Sequence, residues 1–258
     1  MSDDERMLSR LEHLMKTAEK RLDKKDVYTK EEILQKEQSL IVSYPEVELA
    51  PTTHVSMHPL IEHKINMMRD VKTKSSDFRQ LVDEVTMLLC YEAMADLNME
   101  EYVVTTPICM TIGRRISGKK LTLAPIMRAG MGMESAAKRV VPLSRTGHIG
   151  LYRDEVTLEP QKYFWKMPKE IERREIFVLD PMLATGGSAD AAISKLKEVG
   201  CDTIKFMCII AAPRGVDLLQ KKHPDVHLYI GHLDKGLNEN GYIVPGLGDA
   251  GDRIFGTK

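Results

Sequence analysis

The run Ile176-Phe177-Val178-Leu179-Asp180-Pro181-Met182-Leu183-Ala184-Thr185-Gly186-Gly187-Ser188 constrains this chain more than any other segment. Four apolar residues spell a buried strand, and an acid stands where that strand ends. A turn of small residues follows. Then comes a helix whose Ala192, Ile193, Leu196 and Val199 share one face, closed by Gly200. Open α/β sheets bind ligands at the carboxyl ends of their strands. The turn from Ala184 to Ser188 offers free N–H groups at a helix N-terminus, where the dipole favours an anion. Gly186 and Gly187 let the backbone approach that anion closely, and Thr185 and Ser188 add hydroxyls. A phosphate suits this turn. Asp180 would repel a phosphate held directly against it but can accept hydrogen bonds from a diol, so the order of acid, spacer and cradle suits a ribose 5-phosphate.

Around this segment, apolar runs alternate with helical ones. Leu121–Met127, His148–Tyr152, Ile204–Ala211 and Val226–Ile230 read as strands. Met133–Val140, Ser188–Val199 and Arg214–Lys222 read as helices, and Phe78, Leu81, Val82, Val85, Leu88 and Leu89 mark a longer one running towards Leu97. Such alternation predicts βαβ units around a parallel sheet. Residues 1–50 differ in character. Leu8, Leu11, Met15, Ala18 and Leu22 form a narrow stripe, a second helix is expected from Thr29 to Leu40, and Pro45 and Pro51 punctuate a linker. The division expected is a helical extension over 1–50 and one α/β domain over 51–258.

Several other functions are disfavoured. Among 258 residues the net charge is −1, which gives no general attraction for nucleic acid or for an anionic membrane. No apolar run reaches the length of a membrane span, and the acidic start carries no signal-like segment, so a cytoplasmic protein is expected. Cys90, Cys109, Cys201 and Cys208 lack metal or redox spacing and read as free thiols. His54 and His58 stand four apart, but Pro59 argues against one helix carrying both. There is no G-x-x-x-x-G-K-[ST] motif. Gly246-Leu247-Gly248-Asp249-Ala250-Gly251 spells G-x-G-x-x-G, yet with Lys258 seven residues on, no room is expected for a helix or a downstream ribose acid.

The loop resembles the phosphoribosyl-pyrophosphate loop of the type I phosphoribosyltransferases, in the form D-P-M-L-A-T-G-G-S found in their uracil-specific branch. Pro125-Ile126-Met127-Arg128-Ala129-Gly130-Met131-Gly132, Leu158-Glu159-Pro160, Gly236-Leu237-Asn238-Glu239 and the tail from Pro245 to Lys258 are similar to that branch as well. The likeness covers residue 54 onward. It implies an α/β fold with a central, mainly parallel sheet flanked by helices and a glycine-rich C-terminal base-binding segment.

The resemblance also implies roles. Arg128 and Arg153 would hold the donor's pyrophosphate, and Asp180, Pro181, Met182, Leu183, Ala184, Thr185, Gly186, Gly187 and Ser188 its ribose 5-phosphate. Ile243, Gly248, Asp249 and Ala250 would read uracil, with Asp249 also near the donor. Arg128, Asp180 and Asp249 would then be the catalytic set. Magnesium would arrive with the donor rather than on a dedicated protein site, and GTP is a candidate regulatory ligand. Many members carry two adjacent acids before the loop; here Pro181 takes the second place, which concentrates the diol's recognition on Asp180. No side chain stands out as a general base. Trp165 lies in a stretch expected to project and pack on another subunit, so a homodimer or homotetramer is expected. The alternative reading is a regulator of the same fold that binds RNA and does not catalyse.

Overall fold

The computed structural model describes residues 28–118, 120–153 and 160–257. The expected helix over Leu8–Leu22 and the Leu158-Glu159 motif lie outside them. The chain divides into two units, with the boundary between Ser39 and Leu40. The described part of the first is helix α1 (Lys30–Ser39), which begins in a reciprocal cap: the Thr29 N–H donates to Glu32 and the Glu32 N–H to Thr29 Oγ1. It matches the second helix expected from the sequence.

The second unit begins with β1 (Thr53–Val55), α2 (Pro59–Arg69), α3 (Ser75–Ala93) and the hairpin strands β2 (Met99–Thr105) and β3 (Met110–Ile116). Next come β4 (Lys120–Met127), α4 (Met131–Val140), β5 (Arg145–Thr146), β6 (His148–Arg153) and β7 (Pro160–Lys166). After a short 3-10 turn follow β8 (Arg174–Leu179), β9 (Met182–Leu183), α5 (Gly187–Glu198), β10 (Thr203–Ala211) and α6 (Pro213–Lys222). The chain closes with β11 (His227–Leu233), β12 (Gly236–Leu237), β13 (Ile243–Val244) and α7 (Ala250–Phe255).

The main sheet runs β1-β11-β10-β8-β4-β6-β7, with β5 beside β4 and β9 beside β10. Among the described residues, only β6 and β7 pair antiparallel within it. This is the α/β architecture expected, a mainly parallel sheet between helices. The central strands β4, β8 and β10 are buried almost throughout, as a sheet covered on both faces requires. One apolar layer joins Phe78, Val82, Val85 and Leu89 of α3 to Phe177 and Leu179, and the other joins Ile193 and Leu196 of α5 to Ile176, Val178 and Phe206.

Two expectations need correction. The stretch holding Trp165 is an edge strand: Trp165 pairs with Ile149 and packs, half-buried, on the core. The hairpin β2–β3 instead exposes the apolar side chains Val103, Ile108, Met110 and Ile112. The tail also does hold a helix. Asp249 begins α7 by accepting the Asp252 N–H at 2.9 Å, and Gly256 ends it in the left-handed region.

Candidate active site

Three segments converge at the carboxyl ends of β4, β8 and β11. The first is the loop after β8. Its strand ends at Asp180, and the Pro181 carbonyl accepts the N–H groups of Ile209 and Ile210 at 3.0 and 3.1 Å, which ties the turn to β10. Pro181 is thereby turned into the fold, and Leu183 is buried in β9. Past them, Asp180 and residues 182–189 line a hollow of about 110 Å³. Gly186 caps α5 with φ of 87° and lies so close to Gly215 and Leu218 that a methyl group there would stand 2.8 Å from Leu218 Cδ2. Only glycine satisfies both demands. Ahead of Asp190, whose N–H donates to the Gly186 carbonyl, the N–H groups of Gly187, Ser188 and Ala189 have no acceptor within the helix, and these residues line the hollow.

The electrostatics of the loop follow from burial. Desolvation pushes the Asp180 carboxyl up to about 7, opposed only by a long contact from the Met182 N–H at 3.5 Å. Asp190, in the first turn of α5, would oppose an anion there, yet its carboxylate is engaged by Lys222 at 2.6 Å and by His223 Nε2 at 2.9 Å. Burial pushes the Asp190 carboxyl up, but these two partners outweigh it and hold it below the ordinary range.

The second segment is the turn between β4 and α4, which carries Arg128. A methyl group on Gly130 would stand 2.2 Å from the Leu179 carbonyl oxygen. That close approach seats the arginine turn against the end of β8, next to Asp180. The Arg128 guanidinium is half-exposed, reaches Asp252 Oδ1 at 3.3 Å and lies 5.7 Å from the centre of the Phe255 ring.

The third segment is the tail. Ile243 and Ala250 are buried, whereas Gly248 and Asp249 are exposed. A methyl group on Gly251 would lie 3.9 Å from Arg128 Nη2 and 3.7 Å from Ala129 Cβ, so the tail abuts the arginine turn. On the other side, Gly241 stands against the Thr185 methyl of the loop. Gly246, with φ of 70°, lies so near the Ile243 carbonyl that any side chain would collide. Gly246 and Gly248 both lie in the left-handed region, so the first two glycines of the G-x-G-x-x-G spelling serve a tight backbone path.

An ion pair that the sequence reading missed fixes this path. Asp234, at the end of β11, has a fully buried carboxylate that accepts from Arg69 at 2.5 and 2.9 Å, from His232 Nδ1 at 2.8 Å and from the Gly246 N–H at 2.9 Å. Arg69 also donates to the Gly246 carbonyl at 3.0 Å. Burial pushes the Asp234 carboxyl up, but His232, Arg69 and the Gly246 N–H outweigh it and hold it below the ordinary range. Arg253 adds a second anchor, donating to the Leu247 and Asp70 carbonyls at 3.0 and 2.8 Å while stacking on Phe78. The structure therefore brings Arg128, Asp180, the loop and the tail together. Arg153 ends β6, opposite Pro160, and its side chain lies outside the described residues.

A mainly parallel sheet whose strand ends join an acid, a glycine turn at a helix N-terminus and a facing arginine turn is the arrangement of the type I phosphoribosyltransferase class. Residues 55–257 match the sequence model of one family, uracil phosphoribosyltransferase. The chain belongs to the uracil phosphoribosyltransferase family. It is 56% identical over 201 residues to a protein of that name from Clostridium botulinum, covering 78% of this chain and 96% of the relative. A namesake from Finegoldia magna is 57% identical over 201 residues, with the same coverage of each chain. Among solved structures, the AQ2163 protein from Aquifex aeolicus superposes with a TM-score of 0.75 at 36% identity, covering 79% of this chain and 97% of its own.

Proposed function

We propose that this enzyme transfers the 5-phosphoribosyl group of phosphoribosyl pyrophosphate to N1 of uracil, releasing UMP and diphosphate. The observation that carries the reading is the meeting of the Asp180 loop, the Arg128 turn and the glycine tail at one set of strand ends, in a member of this family. The loop's backbone N–H groups and the Thr185 and Ser188 hydroxyls hold the 5-phosphate, and Asp180 accepts from the ribose diol. Breaking the bond from C1 to pyrophosphate puts positive charge on the sugar and negative charge on the leaving group. Arg128, joined by Arg153, stabilises that leaving anion (the kind of preorganised electrostatic contribution that tends to be largest). Exposed backbone at Gly248 and Asp249 meets the edge of the base, with Ile243 and Ala250 buried beneath. Cytosine would leave polar groups unpaired there, at roughly 1–3 kcal/mol each.

Magnesium bound to the donor supplies neutralisation of its diphosphate. Asp249 and Asp180 are the carboxylates of this chain that would meet it. Asp180 suits that environment, since its buried carboxyl has no cation of its own among the described residues and a nearby positive charge would favour its ionised form. GTP remains a candidate activator to be tested, and we place the enzyme in the cytoplasm. The apolar hairpin β2–β3 supports assembly into a homodimer or homotetramer, since a second copy would cover it. Light scattering at micromolar concentration tests this, and a monomer would refute it. The RNA-binding alternative finds no support among the relatives, which carry the enzyme's name.

The deciding experiment offers radiolabelled uracil, cytosine, hypoxanthine and orotate with the donor, with and without magnesium and GTP. Labelled UMP from uracil alone, dependent on magnesium, is expected. Nucleotide formation from another base in preference to uracil, or from none, would overturn the reading.

A further inference from the structure

Arg174, the first residue of β8, is 4% exposed. Its Nε donates to the Lys169 carbonyl at 3.2 Å, while its Nη1 is buried without a hydrogen-bond partner among the described residues. A guanidinium never sheds its charge near neutral pH, so burying an unmet donor of this kind is costly unless an anion completes it. Arg174 forms part of the wall of a cleft of about 630 Å³ between the base of the β2–β3 hairpin and the C-terminal end of α4.

The charges around that cleft are predominantly positive. Arg145 and Lys120 share the wall, and Arg145 repels Arg174 strongly enough to add to the effect of burial in lowering its pKa. Of the acids nearby, Glu100 is taken by Arg115 at 2.6 Å, while Glu170 offsets part of the repulsion on Arg174 but is shared with Arg173 at 3.3 Å. The Val141 carbonyl at the end of α4 is occupied by the Ser144 N–H and hydroxyl. The lining also carries the apolar residues Val140, Pro142 and Leu143.

We propose that this cleft is a second anion site, for a small molecule bearing a phosphate or carboxylate on a flat apolar body. The anion completes Arg174 Nη1 and relieves its repulsion with Arg145, while the body lies on the Pro142 wall. This site is separate from the donor hollow. β8 runs from Arg174 at the cleft to Leu179 beside Asp180, six residues whose ends lie about 17 Å apart in extended strand. β4 makes the parallel connection from Lys120 to Met127, next to Arg128. The inference stands on these residues alone and holds whatever base the enzyme uses.

The test titrates the full chain with phenyl phosphate, benzoate and inorganic phosphate, by calorimetry and in soaked crystals. Phenyl phosphate should place its head group within hydrogen-bond distance of Arg174 Nη1, and its affinity for the cleft should fall at least tenfold in both Arg174→Met and Arg145→Met. Weaker binding of inorganic phosphate than of phenyl phosphate identifies the apolar wall as part of the site. Benzoate binding as tightly as phenyl phosphate identifies a carboxylate ligand. Turnover of uracil should stay within about twofold in both variants, since neither residue touches the donor hollow. Ligand seen at the donor loop alone, affinity unchanged in both variants, or a carboxylate of another subunit seated on Arg174 Nη1 would each overturn the proposal. Should Arg174→Met fail to fold, Arg145→Met decides, because Arg145 is exposed.

Discussion

Replacing Asp180 with asparagine separates its two attributes, a charge that accepts hydrogen bonds and a burial that resists that charge. When ionised, the carboxylate offers acceptors to both hydroxyls of the ribose diol. Asparagine keeps one oxygen and no charge. Hydrogen bonds to a charged group are worth roughly 1.5–3 kcal/mol, so kcat/KM for the donor should fall about ten- to a hundredfold at pH 8. Burial pushes this carboxyl up to about 7 in the free enzyme, so acid should erase the difference. Below that point the wild type loses about a factor of ten per pH unit and should converge on the variant around pH 5–6. Stability should move the other way. A carboxyl whose folded pKa is raised favours folding below its unfolded value near 4 and loses that contribution as pH rises through about 7. The ligand-free wild type should therefore lose Tm relative to Asp180→Asn between pH 5 and 8. The assays are initial rates against donor concentration from pH 5.5 to 8.5 and thermal melts over the same range. A gap in kcat/KM that stays constant with pH, or none at pH 8, would refute the assignment.

The ion pair beneath the tail gives a different signature. Asp234→Asn leaves Arg69 largely buried without its counter-charge, a loss of about 3–5 kcal/mol in stability by melting, and should raise KM for uracil more than KM for the donor. Gly130→Ala cannot keep the present backbone, because its methyl group would stand 2.2 Å from the Leu179 carbonyl. A displacement of about 1 Å between Arg128 and Asp180 is enough for roughly a hundredfold loss in kcat, measured with circular dichroism to confirm folding. Arg128→Ala removes charge from the leaving pyrophosphate and should cost about 2.7–4 kcal/mol of transition-state stabilisation, seen in kcat with little change in Tm because the side chain is half-exposed.

What could be read from the sequence followed the range of the interactions responsible. The β8 strand, its terminal acid, the glycine turn and α5 are local and contiguous, so their pattern announces both the structure and the anion it suits. The long apolar runs of β4, β8 and β10 are equally plain, because a strand buried on both faces needs no alternation. β1 has three residues and the hairpin β2–β3 exposes apolar side chains instead of burying one face, so neither shows a readable period. The pKa of Asp180 depends on how much chain packs around it, which no local pattern records. The same holds for the pair Arg69 and Asp234, which are 165 residues apart and meet only because β11 and α2 lie side by side.

This contrast bears on how the two halves of the site can vary. The proposed phosphate cradle is built into one strand–turn–helix unit, and a change there should act directly on the donor. The tail proposed to read the base has little structure of its own: two residues of β13, a six-residue helix and glycines at positive φ. Its shape is imposed from outside, by Arg69 and Asp234 on Gly246 and by Arg253 on the carbonyls of Asp70 and Leu247. Base selection in this chain should therefore be sensitive to residues that never touch the base, while donor recognition should depend on residues that do touch the donor.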